Sequence, residues 1–372
     1  MANFSNPCTD SGVGTRNKCR YSENLEPIND QPHPYTCNTY IKYDPFQFYG
    51  LFSGFNGGDE VAKYVMDRLV HVIFKVNPIT VAQQPHDVVK SLQQKYKMIV
   101  DEYFNSHHEK LTNRLIAKNN GNLASVQEID EKIGRGTTII VALIIRNNLY
   151  IISCGRSMAI VVQEVEKQAT SHLLNQTLHE NTNGEEIDRL LELQVDPSLV
   201  DNPTRAIGDF LRSYLYDEIE IFKDAKDAPI ISEPVIQHFQ ISTHWKYLIL
   251  LSDGVVENLK NMNIENIPEV VLKELKEEPT PRKTAQALVD AIARNYADHV
   301  STKNVHVPST TLEEMTILFH KMTTFKSEIN FTVDSTTDSG IVTTLVELKP
   351  YVDASHDKNC ENFKLMETYL LK

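Results

Sequence analysis

The sequence predicts an α+β protein in which antiparallel strands pack against further layers, and three observations carry that prediction. Two apolar, β-branched runs, Thr138-Ile139-Ile140-Val141-Ala142-Leu143-Ile144-Ile145 and Leu149-Tyr150-Ile151-Ile152-Ser153, are separated by a turn too short for a crossover, so they pair as a hairpin. Both runs are apolar on both faces, which requires cover on both sides from another sheet or from helices. Elsewhere, apolar residues recur at three and four, as in Val61, Val65, Leu69, Val72 and Ile73, the spacing of a helix with one buried face.

In chain order, residues 1–47 carry Pro27, Pro32, Pro34 and Pro45 with few periodic apolar positions, and are expected to be irregular. Phe48 to Phe52 reads as a buried strand, Gly54, Gly57 and Gly58 as a tight turn, and Asp59 as the start of the helix that ends near Ile73. Val88, Leu92, Tyr96, Ile99, Tyr103, Leu111 and Leu115 predict one long helix over 87–118. His107-His108-Glu109 within it lacks the His-x-x-x-His spacing of a metal site and reads as a solvated face. The hairpin is expected to turn at Asn147-Asn148, a pair that tolerates positive φ. A second turn, Cys154-Gly155-Arg156-Ser157, leads into a strand over 158–162. A helix over 185–193, an apolar strand over 247–255 ending in Asp-Gly, and helices over 268–277 and 284–296 complete the reading. Beyond Lys321 the composition turns to Thr, Ser and Asp without periodicity. This predicts a domain over 1–322, a flexible linker over 323–348 and a tail over 349–372, whose apolar positions from Asn362 to Leu371 approximate a helical stripe.

Composition narrows the function classes. The formal charge is −13, from 50 acidic against 37 basic residues, with no long Lys/Arg block, which disfavours binding to nucleic acid or anionic lipid. No apolar run approaches the ~20 residues of a membrane span, and the N-terminus has no signal-like apolar region, so no membrane insertion and a cytoplasmic location are expected. The five cysteines are odd in number and free of any CxxC pair, which predicts reduced thiols rather than disulfides or a zinc ribbon.

Several short motifs, in order, resemble the metal-dependent type-2C protein phosphatases. Ser53-Gly54-Phe55-Asn56-Gly57 is similar to the family's Asp-Gly-His-Gly-Gly turn, and Thr137 to Leu143 to its Ser/Cys-Thr-Ala-Val-Val-Ala-Leu strand. Gly155-Arg156-Ser157-Met158-Ala159 stands in the place of Gly-Asp-Ser-Arg-Ala, and Gln176-Thr177-Leu178 in that of Val-Asp-His. Thr204-Arg205-Ala206-Ile207-Gly208-Asp209 resembles Ser-Arg-x-x-Gly-Asp, with Asp209 read as a turn carboxylate. Pro229 to Pro234 resembles the family's following Glu-Pro strand, Leu251-Ser252-Asp253-Gly254 its Ser-Asp-Gly strand, and Glu313-Glu314-Met315-Thr316, running on to Phe319, its closing Asp-Asn-Met-Thr strand. The resemblance implies a four-layer α-β-β-α sandwich of two antiparallel sheets flanked by helices, with two divalent ions at one end. At the ligand positions this chain has Tyr21 and Ser22 for a Glu-Asp pair, Ser53 for Asp, Arg156 for Asp and Thr177 for Asp. Asp253 and Glu313 remain as carboxylates. Hard divalent cations need several anionic oxygens, so the resemblance implies a pseudophosphatase with no cofactor, weak Mn or Mg binding being left open. Two alternatives stand beside it. One is a weakly active Mn/Mg-dependent Ser/Thr phosphatase; the other is phosphate recognition through Arg16, Arg20 or Arg205.

Within the family the chain is most similar to a catalytically silent branch that binds and activates a MAP kinase kinase kinase, the TGF-beta-activated kinase, in stress and immune signalling. Ser11-Gly12-Val13-Gly14, Tyr49-Gly50-Leu51-Phe52, Thr204-Arg205-Ala206-Ile207-Gly208-Asp209 and the tail Lys349-Pro350-Tyr351-Val352-Asp353 carry that likeness. The aromatic expected four residues after the Asp is Asp357 here, so Phe363 is taken as the second anchor. The resemblance implies partner binding through Pro350, Tyr351, Val352, Asp353 and Phe363. It also implies a stress-activated MAP kinase and an inhibitor-of-apoptosis ubiquitin ligase as further partners, without residues to place them.

Overall fold

The structure, a computed structural model, describes residues 11–16, 19–21, 27–28, 36–43, 45–76, 78–275, 280–302 and 311–322. In chain order, β1 (Ser11–Arg16), β2 (Cys19–Tyr21), β3 (Pro27–Ile28), β4 (Thr36–Tyr43) and β5 (Phe46–Phe55) precede four helices. These are α1 (Asp59–Phe74), α2 (Pro85–Ser106), α3 (His108–Asn119) and α4 (Leu123–Ile133). Then come β6 (Gly136–Ile145), β7 (Asn148–Cys154), β8 (Met158–Val165), β9 (Gln168–Leu173), α5 (Gly184–Glu192), β10 (Ile207–Gly208) and α6 (Phe210–Ser213). The last elements are β11 (Val235–Gln240), β12 (Trp245–Leu251), α7 (Asp253–Asn261), α8 (Ile267–Glu274), α9 (Pro281–Thr302), β13 (Thr311–Leu312) and β14 (Met315–Lys321).

Two antiparallel sheets organise the chain. One runs β1-β14-β12-β8-β9 and the other β11-β7-β6-β5-β4, with β10 added to the end of β6 and a small β13-β2-β3 sheet apart. The period-2 alternation of a strand explains why the runs are apolar throughout. On β6, Ile139, Val141, Leu143 and Ile145 pack with α1 and α2, while Ile140, Ala142 and Ile144 pack between the sheets. On β12, Ile249 and Leu251 meet α7, α8 and α9, while Leu248 and Leu250 face inward. Three apolar layers thus separate four layers of secondary structure, the predicted α-β-β-α sandwich. One end of the inter-sheet layer is closed by a buried polar cluster. Ser11 Oγ lies 2.8 Å from His320 Nδ1, and Tyr49, stacked on that ring at 4.6 Å, donates to Gln47 at 2.8 Å.

The structure corrects several expectations. Residues 11–16 and 36–43, predicted irregular, are strands, because β14 and β5 supply neighbours that no local pattern announces. The predicted helix over 87–118 is two helices. Ser106 Oγ bonds back to the Tyr103 carbonyl at 2.7 Å, and His107 leaves helical geometry to lodge between Tyr103 and Phe210. His107 is therefore buried rather than solvated; His108 and Glu109 are exposed. The hairpin turns at Arg146-Asn147, with Arg146 at φ 55°, and Asn148 already pairs with Ile145. The strand expected over 229–234 begins at Val235, leaving only Ile231 bridged to Arg205. The strand expected over 247–255 ends at Leu251, because α7 starts at Asp253 and turns the chain away; α4 and β9 were not predicted. Among the described residues no helix is long and apolar enough to cross a membrane. The linker and tail, 323–372, lie outside the described residues.

Candidate functional site

At the other end of the sandwich the inter-sheet layer changes from hydrocarbon to hydroxyl. Phe52 and Ile139 face the helices, so Ser53 and its cross-strand neighbour Thr138 face the gap between the sheets. Ser153 of β7, Ser157 just before β8, Ser252 just after β12 and Thr316 of β14 continue that face, and all six side chains are buried. Ser252 Oγ accepts the Thr316 N–H at 3.0 Å. The hydroxyls of Ser53, Thr138 and Ser157 have no protein partner, which marks this floor as a place for ordered water.

Arg156 sits above that floor. Its turn is shaped by Gly155 at φ 113°, where a Cβ would stand 2.4 Å from Thr138 Cβ. Buried His179 holds the turn twice. Its ring Nδ1 accepts the Gly155 N–H at 2.9 Å, and its backbone N–H donates to the Gly155 carbonyl at 3.1 Å. From this turn the Arg156 guanidinium places Nε and Nη2 on the two oxygens of Asp253, each at 2.9 Å, and Nη1 on Glu257. Asp253 and Glu257 lie one turn apart at the start of α7, so one guanidinium reaches both. Burial alone would lower the Arg156 pKa, but Asp253 and then Glu257 outweigh it and hold the group charged. Further along α7, Asn258 clamps the backbone of Glu313, donating to its carbonyl and accepting its N–H, both at 2.9 Å. Glu314, also buried, accepts the Thr36 N–H at 3.1 Å and ties β4 to the segment before β14.

A second buried cluster flanks the turn. Glu186, fully buried on α5, accepts Arg205 Nε at 2.8 Å, Arg189 Nη2 at 2.9 Å and the Thr204 hydroxyl at 2.8 Å. Burial pushes its carboxyl up, but Arg205, Arg189 and Thr204 together hold it below the usual range. Arg205 is thereby committed to an internal ion pair rather than presented to a phosphate. Asp209 stands at a turn, at φ 50°, as predicted, but is buried and paired with Arg212; burial raises its carboxyl despite that partner. Thr177 donates to Glu185 at 3.0 Å. Arg16 is half-exposed, 4.0 Å from Asp290. Tyr21 ends β2, but its side chain, that of Arg20, and all of Ser22, Pro350, Tyr351, Val352, Asp353 and Phe363 lie outside the described residues.

The structure therefore brings Ser53, Arg156 and Asp253 to one end of the sandwich. The residues do not fit a two-ion centre: Ser53 offers a neutral oxygen, and both oxygens of Asp253 are taken by a fixed cation. Among the described residues, no group of three or more His, Cys, Asp or Glu side chains is placed to hold a metal ion. Sequence reading missed Glu257, His179 and Glu186. Glu186 had a legible signal, since it shares a helix face with Leu190 at i,i+4 and so had to be buried and paired. The signal for Glu257 is the same spacing from Asp253, readable only once α7 is known. The histidine that holds the turn is His179, one residue beyond the Gln176-Thr177-Leu178 segment that stands in place of Val-Asp-His.

A family model described as protein phosphatase 2C matches residues 31–300. The chain is 41% identical over 378 residues, 98% of it and 95% of the relative, to a Caenorhabditis elegans protein named TGF-beta-activated kinase 1 and MAP3K7-binding protein 1. It is 24% identical over 263 residues to probable protein phosphatase 2C 27 of Oryza sativa subsp. japonica, covering 68% of this chain and 62% of that protein. Among solved structures, serine-threonine phosphatase 2C of Toxoplasma gondii superposes with a TM-score of 0.52 at 13% identity. The match covers 86% of this chain and 96% of that one, and is a likeness of fold.

Proposed function

The chain belongs to the protein phosphatase 2C family, and on that premise we propose that it is a non-catalytic adaptor that binds a MAP kinase kinase kinase of the TGF-beta-activated kinase type and promotes its activation. The observation that carries the reading is the relative at 41% identity over 98% of this chain, a protein named for binding such a kinase. Site geometry supports the absence of catalysis. A two-ion phosphatase needs open carboxylate oxygens to offset the charge of its ions and to set an attacking water. Here Asp253 is closed by Arg156, and Ser53 supplies no charge. The kinase is taken by the tail, with Pro350, Tyr351, Val352 and Asp353 as the docking tetrad and Phe363 as the second apolar anchor. A stress-activated MAP kinase and an inhibitor-of-apoptosis ubiquitin ligase as further partners rest on the family resemblance alone.

The second reading, a weakly active Mn- or Mg-dependent phosphatase, is favoured by one observation, the retained Asp253 at the start of α7. Two assays separate the readings. The full chain, but not the chain lacking residues 345–372, is expected to capture the purified kinase catalytic domain and to raise its activity. No hydrolysis of a phosphomonoester in millimolar Mn²⁺ is expected from either. Equal capture without the tail removes the docking assignment. Turnover that disappears in Asp253→Asn establishes the phosphatase instead.

A further inference from the structure

We infer that Arg156 is a built-in cation that does the structural work of a divalent ion at this end of the sandwich, joining the β7–β8 turn to α7 without metal. The arrangement has the parts such a role requires. Two carboxylates, Asp253 and Glu257, stand one helical turn apart and face the same group; left alone they repel and neither has a partner. The cation between them is 9% exposed and engages both with three nitrogens, two of them in a fork on Asp253.

The fork is held from behind as well. Gly155 sets the turn, His179 fixes the Gly155 peptide by both of its polar groups, and the His179 carbonyl accepts the Thr204 N–H at 3.0 Å. The lock is thus continuous with the buried Glu186 cluster through Thr204. Beneath it, Ser53, Thr138 and Ser157 offer neutral hydroxyls, so no second cation is demanded by the floor.

A guanidinium differs from a divalent ion in ways that suit structure rather than chemistry. It is charged at every physiological pH, its plane fixes the orientation of its partners, and it has no vacant position for an activated water. The predicted consequence is a site whose order is indifferent to chelators. This inference concerns the folding of the site and stands whether or not the chain binds a kinase.

The test is thermal unfolding of the full chain in EDTA and in millimolar Mn²⁺ or Mg²⁺, with Mn²⁺ uptake followed by electron paramagnetic resonance. The wild-type midpoint is expected to be the same in all three, with no stoichiometric Mn²⁺ bound. Arg156→Gln uncovers both carboxylates and is expected to lower the midpoint by on the order of 5 °C in EDTA. Mn²⁺ then restores part of that loss by binding the folded state, and the recovery disappears when Glu257→Gln is added. Arg156→Lys keeps the charge and loses the fork; it is expected to stay indifferent to Mn²⁺ at a reduced midpoint, and it serves where Arg156→Gln does not fold. A wild-type chain stabilised by Mn²⁺, or an Arg156→Gln loss that both metals leave untouched, overturns the inference.

Discussion

Ser53 illustrates why one residue does not decide this site. Its hydroxyl is buried between the sheets opposite Thr138, at the position where the family resemblance expects the central carboxylate. Replacing it by Asp would add an acid to a floor of neutral hydroxyls while Asp253 stays closed by Arg156. Ser53→Asp is therefore expected to give no phosphomonoester hydrolysis in Mn²⁺ and to lower stability, the buried carboxyl titrating upward for want of a partner. Turnover from that single change would mean that Arg156 yields Asp253 readily. His179 makes the second residue-scale prediction. Its Nδ1 accepts a hydrogen bond, so the proton of the neutral ring is on Nε2, which has no partner. Burial first, then the nearby Arg205 and Arg189 against the opposing Glu186, push its pKa down from 6.5 to about 4. The unfolded state binds the proton better, so the His179 contribution is complete above pH 6.5 and is lost as pH falls toward 4, by about 3 kcal/mol. Denaturant unfolding at pH 7, 5.5 and 4.5 reads this slope, and His179→Gln, which retains an acceptor for Gly155, is expected to flatten it. An unchanged slope assigns the acid sensitivity to other groups.

Elements were legible in proportion to how much of their pattern is local. The apolar runs of β5, β6, β7, β8, β12 and β14 and the periodic faces of α1, α2 and α9 are written in neighbouring residues, and each forms on the predicted run, with ends that differ where α7 cuts β12 short and where the long helix divides after α2. Strand β4 is different: Thr36 to Tyr43 is strand because β5 pairs with it at eight successive positions, information that its own residues do not carry. The long helix broke for a tertiary reason too, the ring of His107 lying between Tyr103 and Phe210. The glycine turn from β5 into α1 was legible by composition, and the structure gives each glycine a cause. A Cβ on Gly58 would stand 2.1 Å from the Gly136 carbonyl oxygen of β6, a backbone atom held by the sheet register. Gly58→Ala is expected to cost about 3 kcal/mol through strain at that contact. Gly184 opens α5 with nothing within 4 Å of its Cβ and no positive φ, so Gly184→Ala is expected to gain about 0.5 kcal/mol by restricting the unfolded chain. Chemical denaturation of the two variants checks both signs, and equal effects would remove the close-approach argument.

At the scale of the molecule, the sandwich is closed by its last described strand. Strand β14 is paired on one side with β1 from His320↔Ser11 to Met315↔Arg16 and on the other with β12 from Lys321↔Tyr247 to Ile317↔Leu251. It also supplies Met315, Ile317 and Phe319 to the helix-facing layer and Leu318 to the inter-sheet layer. That position inside the sheet, between β1 and β12, was not readable from Met315 to Phe319, which announce a strand but not its neighbours. The composition changes after Lys321, and Lys321 is also the last described residue of β14 to pair with β12. The three apolar layers draw on residues between Val13 and Met322, so a chain ending at 322 holds every buried contact described above. Its thermal midpoint is expected to fall within about 2 °C of the full chain, a difference below 1 kcal/mol for a domain of this size. A chain ending at 314 loses an inner strand, exposing two unpaired edges and the face of α9, and is expected not to fold. A midpoint far below that of the full chain at 322 would mean that residues 323–372 pack on the sandwich, and the kinase-docking tail would then have to leave that surface before it could bind.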